Sequence, residues 1–158
     1  LLNVKKLDIL IDSSPLEENT IDFVVKRIAK EKCAFACNCN NQVLLNRKVD
    51  LNEINNFPMI VPLKTSGSTK ELAKVFYKHK IIFEPSYEIA TSDMIAEMVE
   101  QEIGIGFLFE KTIEKYPNLR KIDVNCFLPE FDIFLLYKDH LLSTTAQEFI
   151  RFMNRKNI

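Results

Sequence analysis

Apolar and polar positions along this chain follow two rhythms that take turns. Short apolar runs without alternation, Leu7–Ile11, Met59–Leu63 and Ile105–Phe109, predict strands buried on both faces. Between them lie stretches with helical spacing. Leu72, Ala73 and Phe76 mark one helix, Met94, Ile95, Met98 and Val99 a second, and Ala146, Phe149, Ile150 and Met153 a third. Shorter elements fill the gaps. We expect an edge strand at Ile21–Ile28, strands at Cys33–Cys39, Pro85–Ala90, Leu119–Val124 and Phe131–Tyr137, a helical turn at Asp50–Ile54, and a helix from Lys111 to Tyr116 stopped by Pro117. Strands alternating with helices predict an α/β fold with a parallel or mixed sheet. The hydrophilic stretch from Asn38 to Asp50 is a candidate linker between two lobes.

Local signals place the helix ends. Ser68 and Glu71 form an S-x-x-E capping box. Thr91 or Ser92 is the N-cap of the next helix, with Asp93 favourable in its first turn. Gly104 is the expected stop of that helix, because glycine takes the left-handed conformation at little cost. The segment then reads as helix, glycine turn and buried parallel strand. Ligands bind beside the carboxyl ends of such strands.

Composition narrows the function. The 158 residues, 47% of them hydrophobic, suffice for one core or two small lobes. A net charge of -1 and the lack of a basic stripe argue against a nucleic-acid face. No apolar run approaches the roughly 20 residues of a membrane span. The start, Leu1-Leu2-Asn3-Val4-Lys5-Lys6, has neither an initiator Met nor a signal-peptide core, which predicts a cytoplasmic piece of a longer chain. Cys33, Cys37 and Cys39 share one strand face, with Cys126 apart, but the pairs and His partners of a zinc site are missing. We read them as reduced core thiols and expect no metal and no cofactor. Nucleophile elbows, zinc-protease motifs and dinucleotide loops are also missing, so no catalytic residues and no enzyme are expected.

In their order and spacing these segments resemble the effector-binding domain of LysR-type transcriptional regulators. Leu7-Asp8-Ile9-Leu10-Ile11 is similar to that family's opening strand. Leu51 to Ile60, with Pro58, is similar to its l-x-d-L-x-x-x-P-x-i stretch. Ser66-Gly67-Ser68-Thr69-Lys70 stands where members carry an S-x-x-T-R loop. Met98 to Phe107 is similar to l-V-x-x-G-l-G-i-a, with Glu102 in place of the first glycine and Gly106 in place of a small residue. Leu136-Tyr137-Lys138, His140 to Ser143 and Phe149 to Phe152 look like the family's ending.

The resemblance implies a two-lobed, type 2 periplasmic-binding-protein-like α/β fold. Lobe I would combine residues 1–41 and 132–158 and be incomplete; lobe II would be residues 42–131. It further implies a small-molecule effector between the lobes, and DNA binding only through an N-terminal helix-turn-helix domain outside this chain. It implies a homodimer and no membrane association. In such a cleft helix N-termini offer unpaired N–H groups to an anionic or zwitterionic ligand. Ser66, Ser68, Thr69, Thr91 and Ser92 are the candidates, although each also reads as a cap, and Ser66 and Thr69 are freer than Ser68, whose hydroxyl the capping box occupies. Ser13 serves either a turn or the site from the other lobe. Phe107 and Ile133 are either apolar walls or ordinary core. The alternative reading is an extracytoplasmic solute-binding protein for a small anion or amino acid.

Overall fold

The computed structural model describes residues 7–13, 22–139 and 142–155. The chain forms two compact units, one of residues 1–30 and 131–158 and one of residues 31–130. The first boundary falls before Cys33, so the cysteine strand packs with the second unit rather than with lobe I. Asn38–Asp50 likewise belongs to the second unit. It is packed there: Leu44 and Val49 have no exposure, and the Asn41 side chain accepts a bond from the Leu44 amide. A stretch that buries two apolar anchors is not a linker.

In the first unit, β1 (Ile9–Ser13) pairs antiparallel with β9 (Glu130–Tyr137), which sets Ser13 opposite Ile133. β1 is less buried than its apolar run suggested, with Ile11 half exposed. Ser14 and Pro15, the expected turn, lie outside the described residues. Helix α5 (Thr144–Arg155) starts where expected, with the Ser143 hydroxyl accepting from the Ala146 amide. It buries Ala146, Ile150 and Met153, but Phe149 is 39% exposed rather than buried.

The expected strands at Ile21–Ile28 and Cys33–Cys39 are one strand, β2 (Val24–Asn38). Along it Arg27, Glu31 and Lys32 form ion pairs with Asp132, Lys111 and Glu130.

The second unit is built on a mixed sheet in the order β7-β2-β6-β4-β5. Its members are β4 (Met59–Pro62), β5 (Tyr87–Ile89), β6 (Ile105–Phe109) and β7 (Leu119–Lys121), with the second half of β2. β4 runs parallel to β5 and β6, and β2 runs antiparallel to β6 and β7. A two-stranded ladder of β3 (Lys48–Val49) and β8 (Asp123–Val124) stands apart. Helices α1 (Leu51–Ile54), α2 (Gly67–Lys78), α3 (Ser92–Glu100) and α4 (Glu110–Glu114) complete it.

The two faces of β2 and β6 differ in size. Ala34 and Ala36, opposite Leu108 and Gly106, form the face under α3. A Cβ on Gly106 would sit 2.7 Å from Val99 and 3.0 Å from Ile95. Small residues here let α3 lie close on the sheet. The other face carries Cys33 opposite Phe109, and Phe35 opposite Phe107. The two buried rings of Phe35 and Phe107 meet at 5.3 Å, a tilted contact within the favourable aromatic range.

The turn from α3 into β6 uses its glycine differently from expectation. Glu102, not Gly104, takes the left-handed conformation, with φ 60°. The Glu102 and Ile103 amides donate to the Val99 and Met98 carbonyls, which is a Schellman cap. Gly104 has no positive φ. It is required because the Pro58 carbonyl oxygen lies 2.2 Å from where a Cβ would be. That same carbonyl accepts the Ile105 amide at 2.9 Å.

These roles separate by mutation. Gly104→Ala should push β6 from β4 and lose about 1–3 kcal/mol or more of stability, the usual cost of overpacking. Glu102→Gly should stay within about 1 kcal/mol of wild type or exceed it. It relieves a left-handed strain of roughly 1–2 kcal/mol against the added chain entropy of glycine. Urea midpoints of the two variants check both statements.

Candidate functional site

Parallel pairing puts the carboxyl ends of β4 and β5 side by side, and each strand leads into a helix. α2 begins after β4 with Ser66 as its N-cap, and α3 begins after β5 with Thr91 as its N-cap. Both starts reach one cavity of about 270 Å³ in the second unit. Its lining has a hydroxyl set, Thr65, Ser66, Ser68 and Ser92, and an apolar set that includes Cys33, Phe107, Leu108 and Phe109.

The two helix starts differ. The Thr91 hydroxyl accepts from the Met94 amide at 3.4 Å, so α3 is capped by its own side chain. Ser66 makes no such bond. Its hydroxyl lies 2.8 Å from that of Ser68, and either can donate. The first bond inside α2 is Lys70 amide to Ser66 carbonyl. The amides of Gly67, Ser68 and Thr69 therefore precede the helical ladder and carry the positive end of its dipole. The expected Ser68–Glu71 capping box does not form, because the helix starts two residues earlier. Ser68 lies in its first turn, and Glu71 pairs with Lys74 at 2.6 Å.

Of the residues singled out from the sequence, Ser66, Ser68, Ser92 and Phe107 line the cavity. Thr69 is buried, and its hydroxyl donates to the Pro62 carbonyl at 2.8 Å, which ties α2 to the end of β4. Thr91 is occupied as the α3 cap. Ser13 and Ile133 face each other across β1 and β9 in the first unit, where the Ser13 amide donates to the Asp12 carboxylate.

Cys33 entered the cavity lining without being foreseen. Its position follows from pairing with Phe109 seventy-odd residues away, which no local signal encodes. Burial first, then the nearby carboxylates of Glu110 and Glu31, push its thiol up to about 12. Burial, then Cys39, pushes Cys37 up to about 11. Both are neutral thiols at physiological pH. Among the described residues no group of three or more His, Cys, Asp or Glu side chains could hold a metal.

A family profile described as the LysR substrate binding domain matches residues 1–157. This chain belongs to the LysR effector-binding family. That decides for a ligand-sensing regulatory domain over a solute-binding protein, and the family is one of regulators rather than enzymes. Comparison with curated proteins returned no match.

Solved structures share the fold of this LysR-type domain. The CcmR regulatory domain of Synechocystis PCC6803, in complex with 2-PG, has a TM-score of 0.79 at 18% identity, over 96% of this chain and 74% of that one. The effector-binding domain of QuiR, in complex with shikimate, has 0.77 at 20% identity, over 98% and 74%. Full-length CbnR, complexed with its target DNA, has 0.73 at 8% identity, and there the match covers 98% of this chain but 54% of the regulator. The LysR domain thus spans about half of that full-length protein. Among the described residues no helix is long and apolar enough to cross a membrane.

The raised thiols predict a pH dependence for this LysR-type domain. In the unfolded chain Cys33 and Cys37 lose their protons near the ordinary value of 9.0, whereas folded they keep them to about 12 and about 11. The folded state then binds more protons, so stability falls as pH rises above about 9. Cys33→Ala should flatten that fall in denaturation curves taken from pH 8 to 11. Cys33 should also resist alkylation in the native state and react on unfolding.

Proposed function

We propose that this domain senses a small anionic or zwitterionic effector, seated in the second unit where α2 begins. The observation that carries the reading is the start of α2, which opens on the cavity without a side-chain cap. Amides ahead of the helical ladder, with the Ser66, Ser68 and Ser92 hydroxyls around them, match the needs of a carboxylate or a similar head group. Effector complexes of CcmR with 2-PG and QuiR with shikimate support a small polar ligand for domains of this shape. The effector would bias DNA binding by a helix-turn-helix domain of the whole regulator, as the DNA complex of CbnR suggests. The regulator would act in the cytoplasm.

Thr69, Thr91, Ser13 and Ile133 take supporting parts in this reading. Thr69 positions α2, Thr91 caps α3, and Ser13 with Ile133 belongs to the pairing of the first unit.

Self-association is part of the proposal. α5 exposes Phe149 and Phe152, at 39% and 54%, and apolar side chains grouped on one surface favour a partner. A two-fold homodimer is the expected state. Light scattering at micromolar concentration should give twice the 18.4 kDa of one chain; a monodisperse single mass would refute it.

The site is tested by calorimetry against carboxylates, amino acids and inorganic anions. Ser66→Asp should abolish binding of whichever anion binds, by placing a like charge at the helix start. Ser92→Ala should weaken it roughly tenfold or more, the value of one bond to a charged group. Thr69→Val should chiefly lower stability, by about 1–3 kcal/mol, since it leaves the half-buried Pro62 carbonyl without the Thr69 hydroxyl.

A further inference from the structure

The net charge of -1 hides an uneven distribution. From Lys64 to Lys80 the chain carries five lysines and one carboxylate; from Glu84 to Glu102 it carries six carboxylates and no lysine or arginine. The first stretch contains α2 and the second α3. On α2, Lys70, Lys74 and Lys78 are exposed and follow the i, i+4, i+8 spacing of one helix face. On α3, Asp93, Glu97 and Glu100 follow i, i+4, i+7; the first two are exposed and the third half-buried. The Tyr116 hydroxyl donates to Asp93 at 3.2 Å. Burial, that bond and the charges of Asp93, Glu97 and Glu100 push its ionisation up, which places the three carboxylates on one side of α3. Among the described residues Lys70, Lys78, Glu97 and Glu100 enter no ion pair, and Lys74 pairs with Glu71 of its own helix.

Strand order separates the two helices. In the order β6-β4-β5, the step from β4 through α2 to β5 runs outward. The step from β5 through α3 to β6 runs back across β4. Right-handed crossovers then put α2 and α3 on opposite faces of the sheet. One copy therefore presents a lysine row on one side and a carboxylate row on the other.

We propose that α2 of one copy docks antiparallel on α3 of a second copy, with Lys70 against Glu100, Lys74 against Glu97, Tyr77 against Met94 and Lys78 against Asp93. A single register serves all four pairs to within one residue, because each step forward on α2 is matched by a step back on α3. At 1.5 Å per residue the two rows are about 12 Å and about 10 Å long. Tyr77 and Met94 are 83% and 52% exposed; interfaces favour tyrosine, and a thioether meets an aromatic ring well. Antiparallel alignment also sets the positive end of each helix beside the negative end of the other. Since the rows lie on opposite faces, each copy turns α2 to one neighbour and α3 to another. Such a heterologous contact closes as a ring or continues as a chain. It is separate from the two-fold dimer proposed through α5. Exposed ion pairs are individually weak and are screened by salt, so this contact forms at high protein concentration and low ionic strength.

Sedimentation velocity on the intact chain at about 200 µM tests this, at ionic strengths of about 20 mM and about 500 mM. In low salt the average mass should rise with concentration to at least twice its high-salt value. The high-salt mass reports the α5 dimer and the low-salt increment reports this contact, so the two readings fail separately. Lys74→Glu with Lys78→Glu should abolish the increment, and so should Glu97→Lys with Glu100→Lys. The protein with all four changes keeps the wild-type net charge and should regain it. Tyr77→Ser should weaken association at least threefold. Thermal melting checks the fold of each variant.

An increment absent in low salt, or one that persists in high salt, overturns the proposal. So does an increment that survives either reversal alone, or that the protein with all four changes fails to regain. A short DNA duplex tests the other occupant of a lysine row. If the wild-type chain binds the duplex without self-associating, and Lys74→Glu with Lys78→Glu abolishes that binding, the row serves a phosphate backbone and the second-copy contact is wrong.

Discussion

The Pro58 carbonyl, resting where Gly104 has no side chain, sets the arrangement of the second unit. Its oxygen accepts the Ile105 amide, and from that bond β6 runs parallel to β4 with Met59 beside Ile105 and Ile60 beside Gly106. The register then dictates both faces of β6. Gly106 and Leu108 turn toward α3, while Ile105, Phe107 and Phe109 turn the other way. A slip of one residue would put the Phe107 ring under α3, where the Val99 and Ile95 methyls already crowd a bare glycine. The glycine pair thus enforces register from two sides, through backbone approach at Gly104 and helix approach at Gly106.

From that register the cavity follows with few further choices. Parallel β4 and β5 both end at the same edge, so the helices that follow them start there together. The Thr69 hydroxyl on the Pro62 carbonyl locks the first turn of α2 onto the end of β4. The Tyr116 hydroxyl, just past α4, donates to Asp93 in the first turn of α3. Each helix start is therefore held by a bond that does not consume the Ser66, Ser68 or Ser92 hydroxyls. Rigid placement of donors on helix starts is what binding by preorganised groups requires.

Much of this could be read before any coordinates. Continuous apolar runs located β4 and β6, helical spacing located α2, α3 and α5, and Thr91 was a recognisable cap. What escaped depends on contacts between distant segments. Gly104 was legible as a special position but not for its reason, since the carbonyl that excludes a side chain belongs to Pro58. The left-handed residue was instead Glu102, at the place where the family pattern has glycine. Ser68 and Glu71 satisfied a capping-box spacing, yet α2 starts earlier because Gly67 and Ser68 continue it backward to Ser66. Asn38–Asp50 looked like a linker because it is polar on average, and averages hide Leu44 and Val49. Of the cavity, its hydroxyl edge was legible from helix-start chemistry. Of its apolar lining Phe107 was legible but Cys33 was not, because the meeting of Cys33 with Phe109 is a matter of strand order.

The contrast between the two helix starts is the most informative local feature. An N-cap side chain is worth about 0.5–2 kcal/mol, and serine is among the best residues for it. α3 takes that contribution through Thr91, and α5 through Ser143. α2 has a serine in the N-cap position with extended backbone angles suited to capping, φ -65° and ψ 141°, and does not use it. Its hydroxyl turns instead to Ser68, leaving the first amides of the helix without a side-chain cap. α4 also starts without a side-chain cap, but there the N-cap is Phe109, which has no acceptor to offer. At α2, by contrast, a competent cap is diverted. An effector oxygen in the cavity would occupy the place of the missing cap, so the stability forgone in the empty domain would return as binding free energy. Occupancy would then act first on α2, the helix that Thr69 couples to the sheet.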